Sequence, residues 1–485
     1  MKIKRLFLAL FAVLLGTSLV ACGGDEESKP NNPSVDQETE EPTVDDGREN
    51  WVAPADPMQI CVGSESVVYY QRVLDQYVKD NNLPFEIEVV GVDTGSYADT
   101  FLRDPEVGAD IFVAAHDNLG KLMDGAGSIA PITDDELVDQ IKANTSVDFQ
   151  NVCYLSAGGA LPQFYGVPII RQSLVLYYDK TYFSTDADVA SWEQILAKAK
   201  STGKLATTYL GSDGYSYSHW LLAQPANDAA INAFGKKGSL QLFQVGMAAK
   251  NKAWGDDQVA IHRYAQNFTL NANGRNGTVI GDDSWVSELQ NQQVLTVIGG
   301  AWNLTSIKGV LGDNYGVTVL PTFKLTAKEA YGKAKSGMEF RSGSFYDVKC
   351  LMKKKDSAFD PFLDEILLFL SSDEVQEGSY KECGNLPASL NVKLNSNDAL
   401  ANAQINQGEK AGIPQPFGYN ATFNPTYYSK GTAEMFIEIH QNTKSAYGTS
   451  AKVKLALQRI SYIWAHNQVP NSDSEVTAWA NAYTD

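Results

Sequence analysis

Residues 297–307 read VIGGAWNLTSI. An apolar strand runs into Gly299 and Gly300, then a tryptophan, then what reads as the start of a helix. A strand passing through glycines directly into a helix is the joint from which layered α/β folds are built. Ligands of such sheets sit beyond the carboxyl ends of the strands. Trp302 stands at such an end, and glycines at 299 and 300 let other atoms approach the backbone closely. Two readings stay open for the ring: a platform facing a ligand, or a core side chain that closes the joint.

The same alternation extends in both directions. A strand is expected at 59–62. Apolar residues at helical spacing (Val67, Tyr70, Val73, Leu74, Tyr77, Val78) predict a helix over 67–81. A strand over 85–90, a helix over 97–103, a strand over 111–114 and a helix over 118–125 follow, so a parallel sheet with helices on both faces is expected. A second unit opens with a strand at 173–178. Ser191 reads as the N-cap of a helix, with Glu193 two residues on where a capping box wants the third. Strands at 294–298 and 315–320 and helices at 362–370, 373–383, 431–441 and 451–466 complete the pattern. Residues 204–290, rich in Gly, Asn and Tyr, show no clear period. Two α/β lobes joined by extended strands imply a hinge, with a ligand cleft between them.

Composition narrows the function. The chain has 485 residues and a formal net charge of −19. So acidic a chain repels phosphates and is not expected to bind nucleic acid. No stretch after the first residues holds the apolar run that a membrane span needs. The first residues read as a processing signal. Lys2, Lys4 and Arg5 precede a short apolar stretch over 6–15, and Leu19-Val20-Ala21-Cys22 resembles a bacterial lipobox. That likeness implies cleavage before Cys22 and a diacylglycerol on its thiol, anchoring the chain at the extracytoplasmic face of a bacterial membrane. Residues 23–57 hold eleven acids, two bases and five prolines; they are expected to stay disordered and act as a tether. Cys61, Cys153, Cys350 and Cys383 form no CxxC pair and no disulfide scaffold, and any pairing stays open. His116, His219, His262, His440 and His466 do not cluster with cysteines at zinc spacing, so neither metal nor cofactor is expected.

Four stretches then carry a resemblance. Tyr315-Gly316-Val317-Thr318-Val319-Leu320-Pro321-Thr322-Phe323, after Gly299-Gly300-Ala301-Trp302, resembles the maltose/maltodextrin-binding protein family of ABC importers. Ala109-Asp110-Ile111-Phe112 with Ala115-His116-Asp117 is similar to the family's first-lobe loop. Tyr165-Gly166-Val167-Pro168 followed by Leu176-Tyr177-Tyr178-Asp179-Lys180 resembles its first crossover. Ser191-Trp192-Glu193-Gln194-Ile195 is similar to its Trp-Glu-Glu helix. The resemblance implies the two-lobe periplasmic-binding-protein fold of type II. It implies crossovers at 168–173, 320–324 and near 384–387, a first lobe of 58–169 plus 325–384, and a second of 173–320 plus 387–485. It also implies a monomer that closes over a carbohydrate, hands it to an ABC permease in the membrane and performs no chemistry on it.

Carried over residue by residue, the resemblance gives a candidate ligand-binding set. Trp302 matches the stacking tryptophan. Asp117 and Asn118 match a polar pair that bonds sugar hydroxyls, although Asp117 also fits a helix N-cap. Gln172 falls where the family has an acid. Arg171 beside it suits an acidic sugar or an inter-lobe ion pair. Tyr215, Tyr217 and Trp220 fall in one aromatic loop, and Tyr427 and Tyr428 in another. Glu65 replaces a lysine, and Ala114 removes one stacking ring. Two other functions compete. A glycoside hydrolase needs a second carboxyl at a fixed distance from the first, and Gln172 removes the obvious partner of Asp117. A binding protein for a polyamine, peptide or anion keeps the fold; an amine would require several acids in the cleft.

Overall fold

The computed structural model describes residues 48–123, 127–157, 160–210, 219–226, 255–266, 278–281, 285–415, 439, 447–466 and 468–482. Tyr215, Tyr217, Tyr427 and nearly all of the helix expected at 431–441 lie outside these residues. From Trp51 onward the chain forms one unit, with buried side chains grouped around two sheets.

The first sheet is built on Met58–Gly63, which pairs in parallel with Ile87–Val92 on one side and Ile111–Ala115 on the other. The helix Val67–Asn81 follows the sequence period to the residue, buries Tyr69, Tyr70 and Leu74, and ends on Asn82 in the left-handed conformation (φ 51°). Asparagine tolerates that conformation because its short polar side chain bonds locally. The sheet is not purely parallel. The strand Ser344–Lys354 enters antiparallel, pairing Lys349–Lys353 with Ala115–Ile111. Its other edge pairs antiparallel with Val167–Ser173, with an irregularity in register between Lys349 and Cys350.

The second sheet has five strands in the order Thr278–Gly281, Leu205–Leu210, Val294–Gly299, Val175–Asp179, Tyr315–Thr318. The first three run parallel, and Val175–Asp179 is antiparallel to both its neighbours. The helix Trp192–Thr202 packs Trp192 and Ile195 into the adjoining core. Its N-terminus is a complete capping box: Ser191 Oγ accepts from the Gln194 N–H, and Gln194 Oε1 accepts from the Ser191 N–H at 3.0 Å. The partner is Gln194 at the third position, not Glu193.

The cores move two of the boundaries expected from sequence. Leu325, Ala334 and Phe340 are buried with Trp192, Trp220 and Phe323 in the second core, not in the first. Thr322–Lys324, Glu339–Arg341 and Gln224–Pro225 form a small sheet that holds this excursion in place. The passage between cores therefore falls on Ser344–Lys354, with Phe345 in the second core and Val348 in the first, and not at 320–324. Further on, Ala388 is still in the first core and the Leu390 N–H donates to the Asn144 carbonyl. The helix Ala399–Ala411 is the first later element to reach the second sheet, through Leu400 and Ala403. The last passage thus lies beyond 384–387. Among the described residues no helix is long and apolar enough to cross a membrane, and the four cysteines are free thiols, Cys61, Cys153 and Cys350 fully buried.

Candidate functional site

The carboxyl ends of the first sheet's parallel strands open on a cavity of about 610 Å³. Glu65 follows Met58–Gly63, Asp93 and Thr94 follow Ile87–Val92, and Asp117 follows Ile111–Ala115; all four line the cavity. Gln172, Asp347 and Lys349 come from the two strands that pass between the cores. Ala301, Trp302, Leu304 and Thr305 come from the end of Val294–Gly299 in the second sheet. Leu400 and Gln415 complete the wall.

The opening motif is now explicit. Val294–Gly299 ends, the Gly300 N–H donates to Asn303 Oδ1 at 3.0 Å, and the helix Leu304–Leu311 begins. A Cβ on Gly299 would meet Asn303 Oδ1 at 2.4 Å, and one on Gly300 would meet the Trp302 ring at 2.1 Å. The glycines therefore make room for the capping asparagine and for the indole, which lies against the Gly300 backbone. They are filled from within the chain and not kept clear for a ligand. Trp302 stays 44% exposed, in contrast to Trp192 (0%) and Trp220 (2%) in the second core.

Asp117 is held by a hydrogen bond on each carboxyl oxygen. Its Oδ1 accepts from Asn118 Nδ2 and its Oδ2 from Gln415 Nε2, both at 3.0 Å. His116 before it is fully buried, donating Nε2–H to the Gln415 carbonyl at 2.8 Å and accepting the Val348 N–H on Nδ1 at 3.1 Å. Burial, and after it the neighbouring Asp347 carboxylate, push the Asp117 pKa up to about 7. Lys349 donates its ammonium to Thr94 Oγ1.

The sequence candidates divide. Trp302, Asp117, Gln172 and Glu65 share the cavity. Asn118 does not line it: its amide donates to Ala115 O and to Asp117, so it braces the loop. Arg171 does not line it either. It neighbours Gln172 on an extended strand and so points to the opposite face, where burial lowers its pKa and its backbone N–H donates to Leu386 O. Where the second crossing strand starts, Gly343 and Ser344, which are not among the sequence candidates, serve packing: Gly343 leaves no room for a Cβ beside the Leu222 backbone, and Ser344 Oγ accepts the Leu174 N–H. Sequence reasoning missed Asp347, Lys349, Thr94 and Gln415. Asp347 is 230 residues from Asp117 and sits inside a stretch that reads as core, so only the strand pairing reveals it. No group of His, Cys, Asp and Glu among the described residues has the geometry of a metal site.

Two α/β cores connected by paired strands, with a polar cavity where the strands pass between them, define a solute-capturing protein. The family of bacterial extracellular solute-binding proteins matches residues 72–407, and the chain belongs to it. A curated relative is the maltooligosaccharide ABC transporter solute-binding lipoprotein of Streptococcus pneumoniae serotype 4, 24% identical over 416 residues that cover 82% of this chain and 85% of that one. The solved maltodextrin-binding protein of L. casei BL23, without ligand, superimposes with a TM-score of 0.64 at 18% identity, covering 84% of this chain and 100% of that one. The maltose-binding protein of Listeria monocytogenes, in complex with maltose, gives 0.60 at 18%, covering 83% and 96%. The fold is theirs.

Proposed function

We propose that this protein captures a carbohydrate in the cavity between its lobes and delivers it to the permease of an ABC importer. The observation that carries the reading is the cavity itself. A half-exposed tryptophan on the second-lobe wall shares it with Asp117, Gln172 and Asp347 from the first lobe and the crossing strands. Sugars present CH faces to an aromatic ring and hydroxyls to carboxylates and amides, and charge-assisted bonds to carboxylates are about twice as strong as neutral ones. The pneumococcal relative's name points the same way. The protein works as a lipid-anchored monomer outside the membrane, tethered through Cys22 and the acidic stretch 23–57, and breaks no bond in its ligand. Asp117 and Asp347 both sit beside His116 on the first-lobe side of the cavity.

Titration of the purified protein against a panel of neutral oligosaccharides, followed by thermal unfolding, tests this. A tenfold excess of ligand over its Kd stabilises by about 1.4 kcal/mol, with no free product sugar. A panel without any shift would sink the carbohydrate reading, and accumulating product would sink the binding-only role. Trp302→Ala is expected to weaken binding by on the order of 1–3 kcal/mol; unchanged affinity removes Trp302 from the site.

A further inference from the structure

Two acceptors on the cavity wall have no hydrogen-bond donor among the described residues. Gln172 and Asp347 are register partners on the antiparallel strands that pass between the cores. Both line the cavity, and each is more than nine-tenths buried (8% and 6% exposed). Gln172 Oε1 and Asp347 Oδ1 receive no hydrogen bond from the described residues. His116 Nδ1, 3.4 Å from Asp347 Oδ1, accepts the Val348 N–H. Buried acceptors are normally satisfied, and a group left open inside a binding cavity is one that a ligand completes.

The charge around this pair identifies the donor. The described lining carries Glu65, Asp93, Asp117 and Asp347 against a single base, Lys349, whose ammonium is engaged by Thr94. Arg171, which would have suited an anionic sugar, lies on the other face of its strand. A hydroxyl brings one hydrogen and no charge. An ammonium brings three hydrogens, no acceptor, and a positive charge into a lining with an excess of acids. We propose that Asp347 and Gln172 form a subsite for a protonated amine, so that the solute is an amino-bearing saccharide with a free, non-acetylated ammonium. This rests on the carbohydrate reading and narrows it. Asp117 stands beside the subsite, and a cation there favours its ionised form.

The test is calorimetric titration of the full chain with a glucosamine trimer, the corresponding N-acetylglucosamine trimer, maltotriose and spermidine, at pH 7.5. The amino trimer is expected to bind at least tenfold tighter than its acetylated counterpart. Asp347→Asn is expected to shrink that ratio by fivefold or more, its fold checked by circular dichroism. The comparison of acetylated with free amine in the unaltered protein needs no variant and stands if the variant does not fold. Maltotriose or the acetylated trimer binding as well as the amino trimer would overturn the amine subsite and leave the carbohydrate reading standing. Spermidine binding with every saccharide silent would overturn the carbohydrate reading and retain the subsite. Silence from all four probes overturns both.

Discussion

Gly300→Ala isolates the role of the glycine before Trp302. Gly300 has φ −105° and ψ −172°, extended backbone that alanine adopts without strain, so the substitution acts through sterics alone. The new methyl would start 2.1 Å from the indole. Ordinary contact begins near 3.4 Å, so the ring must retreat by about 1.3 Å. Trp302 is 44% exposed, and its retreat uncovers little core; the stability cost stays below about 1 kcal/mol, a melting-temperature change within ~3 °C. Affinity pays more. A platform displaced by more than an ångström loses stacking on the order of 1–3 kcal/mol, a ~5- to 150-fold rise in Kd. Calorimetry on a bound oligosaccharide together with thermal unfolding separates the two effects. A variant that melts many degrees lower yet binds as before would show that the glycine serves the joint and not the ring.

Further outcomes follow from other positions. Asp117, pushed up to about 7 by burial and Asp347, holds a proton in the folded state that the unfolded chain has already lost between pH ~4 and ~7. The stability it contributes is therefore fullest at low pH and lost as pH rises through 7, by at most about 4 kcal/mol. Asp347, His116, Lys121 and Lys349 are the charged groups acting on it; Asp117→Asn should flatten the fall in melting temperature between pH 5 and 8, and an unchanged slope refutes the assignment. Ser191→Ala removes a capping box and should cost about 1 kcal/mol in denaturant unfolding, with no loss of ligand affinity. Cys22→Ala should release the protein from the membrane fraction of expressing bacteria into the medium or periplasm; retention on the membrane would refute the lipid anchor.

Local pattern made much of the scaffold legible. Helix 67–81 follows from its apolar spacing, and the glycines after Ile298 mark a true strand-to-helix joint. Half-legible elements failed for identifiable reasons. Pro321 looks like the end of a lobe, but Phe323, Leu325 and Phe340 are buried in the second core and carry the chain back into it. Arg171 and Gln172 were both candidates, although adjacent residues of a strand face opposite sides, and that rule alone would have chosen between them. Asp347 was illegible because its partner is Gln172, a contact set by long-range strand pairing, and nothing in the local run YDVKC marks one acid as facing a cavity. Tyr215, Tyr217 and Tyr427 lie outside the described residues.

The irregularity between Lys349 and Cys350 lies on the strand pair that connects the cores. An irregular step in a ladder bends more readily than regular pairing, and here it falls two residues from Asp347. If the lobes swing, they turn about this seam. The amine pocket then sits at the fulcrum, where displacement is smallest, while Trp302 at the far wall travels along the arc. On the readings proposed above, selection at Asp347 and stacking on Trp302 would then fall at different distances from the axis of closure.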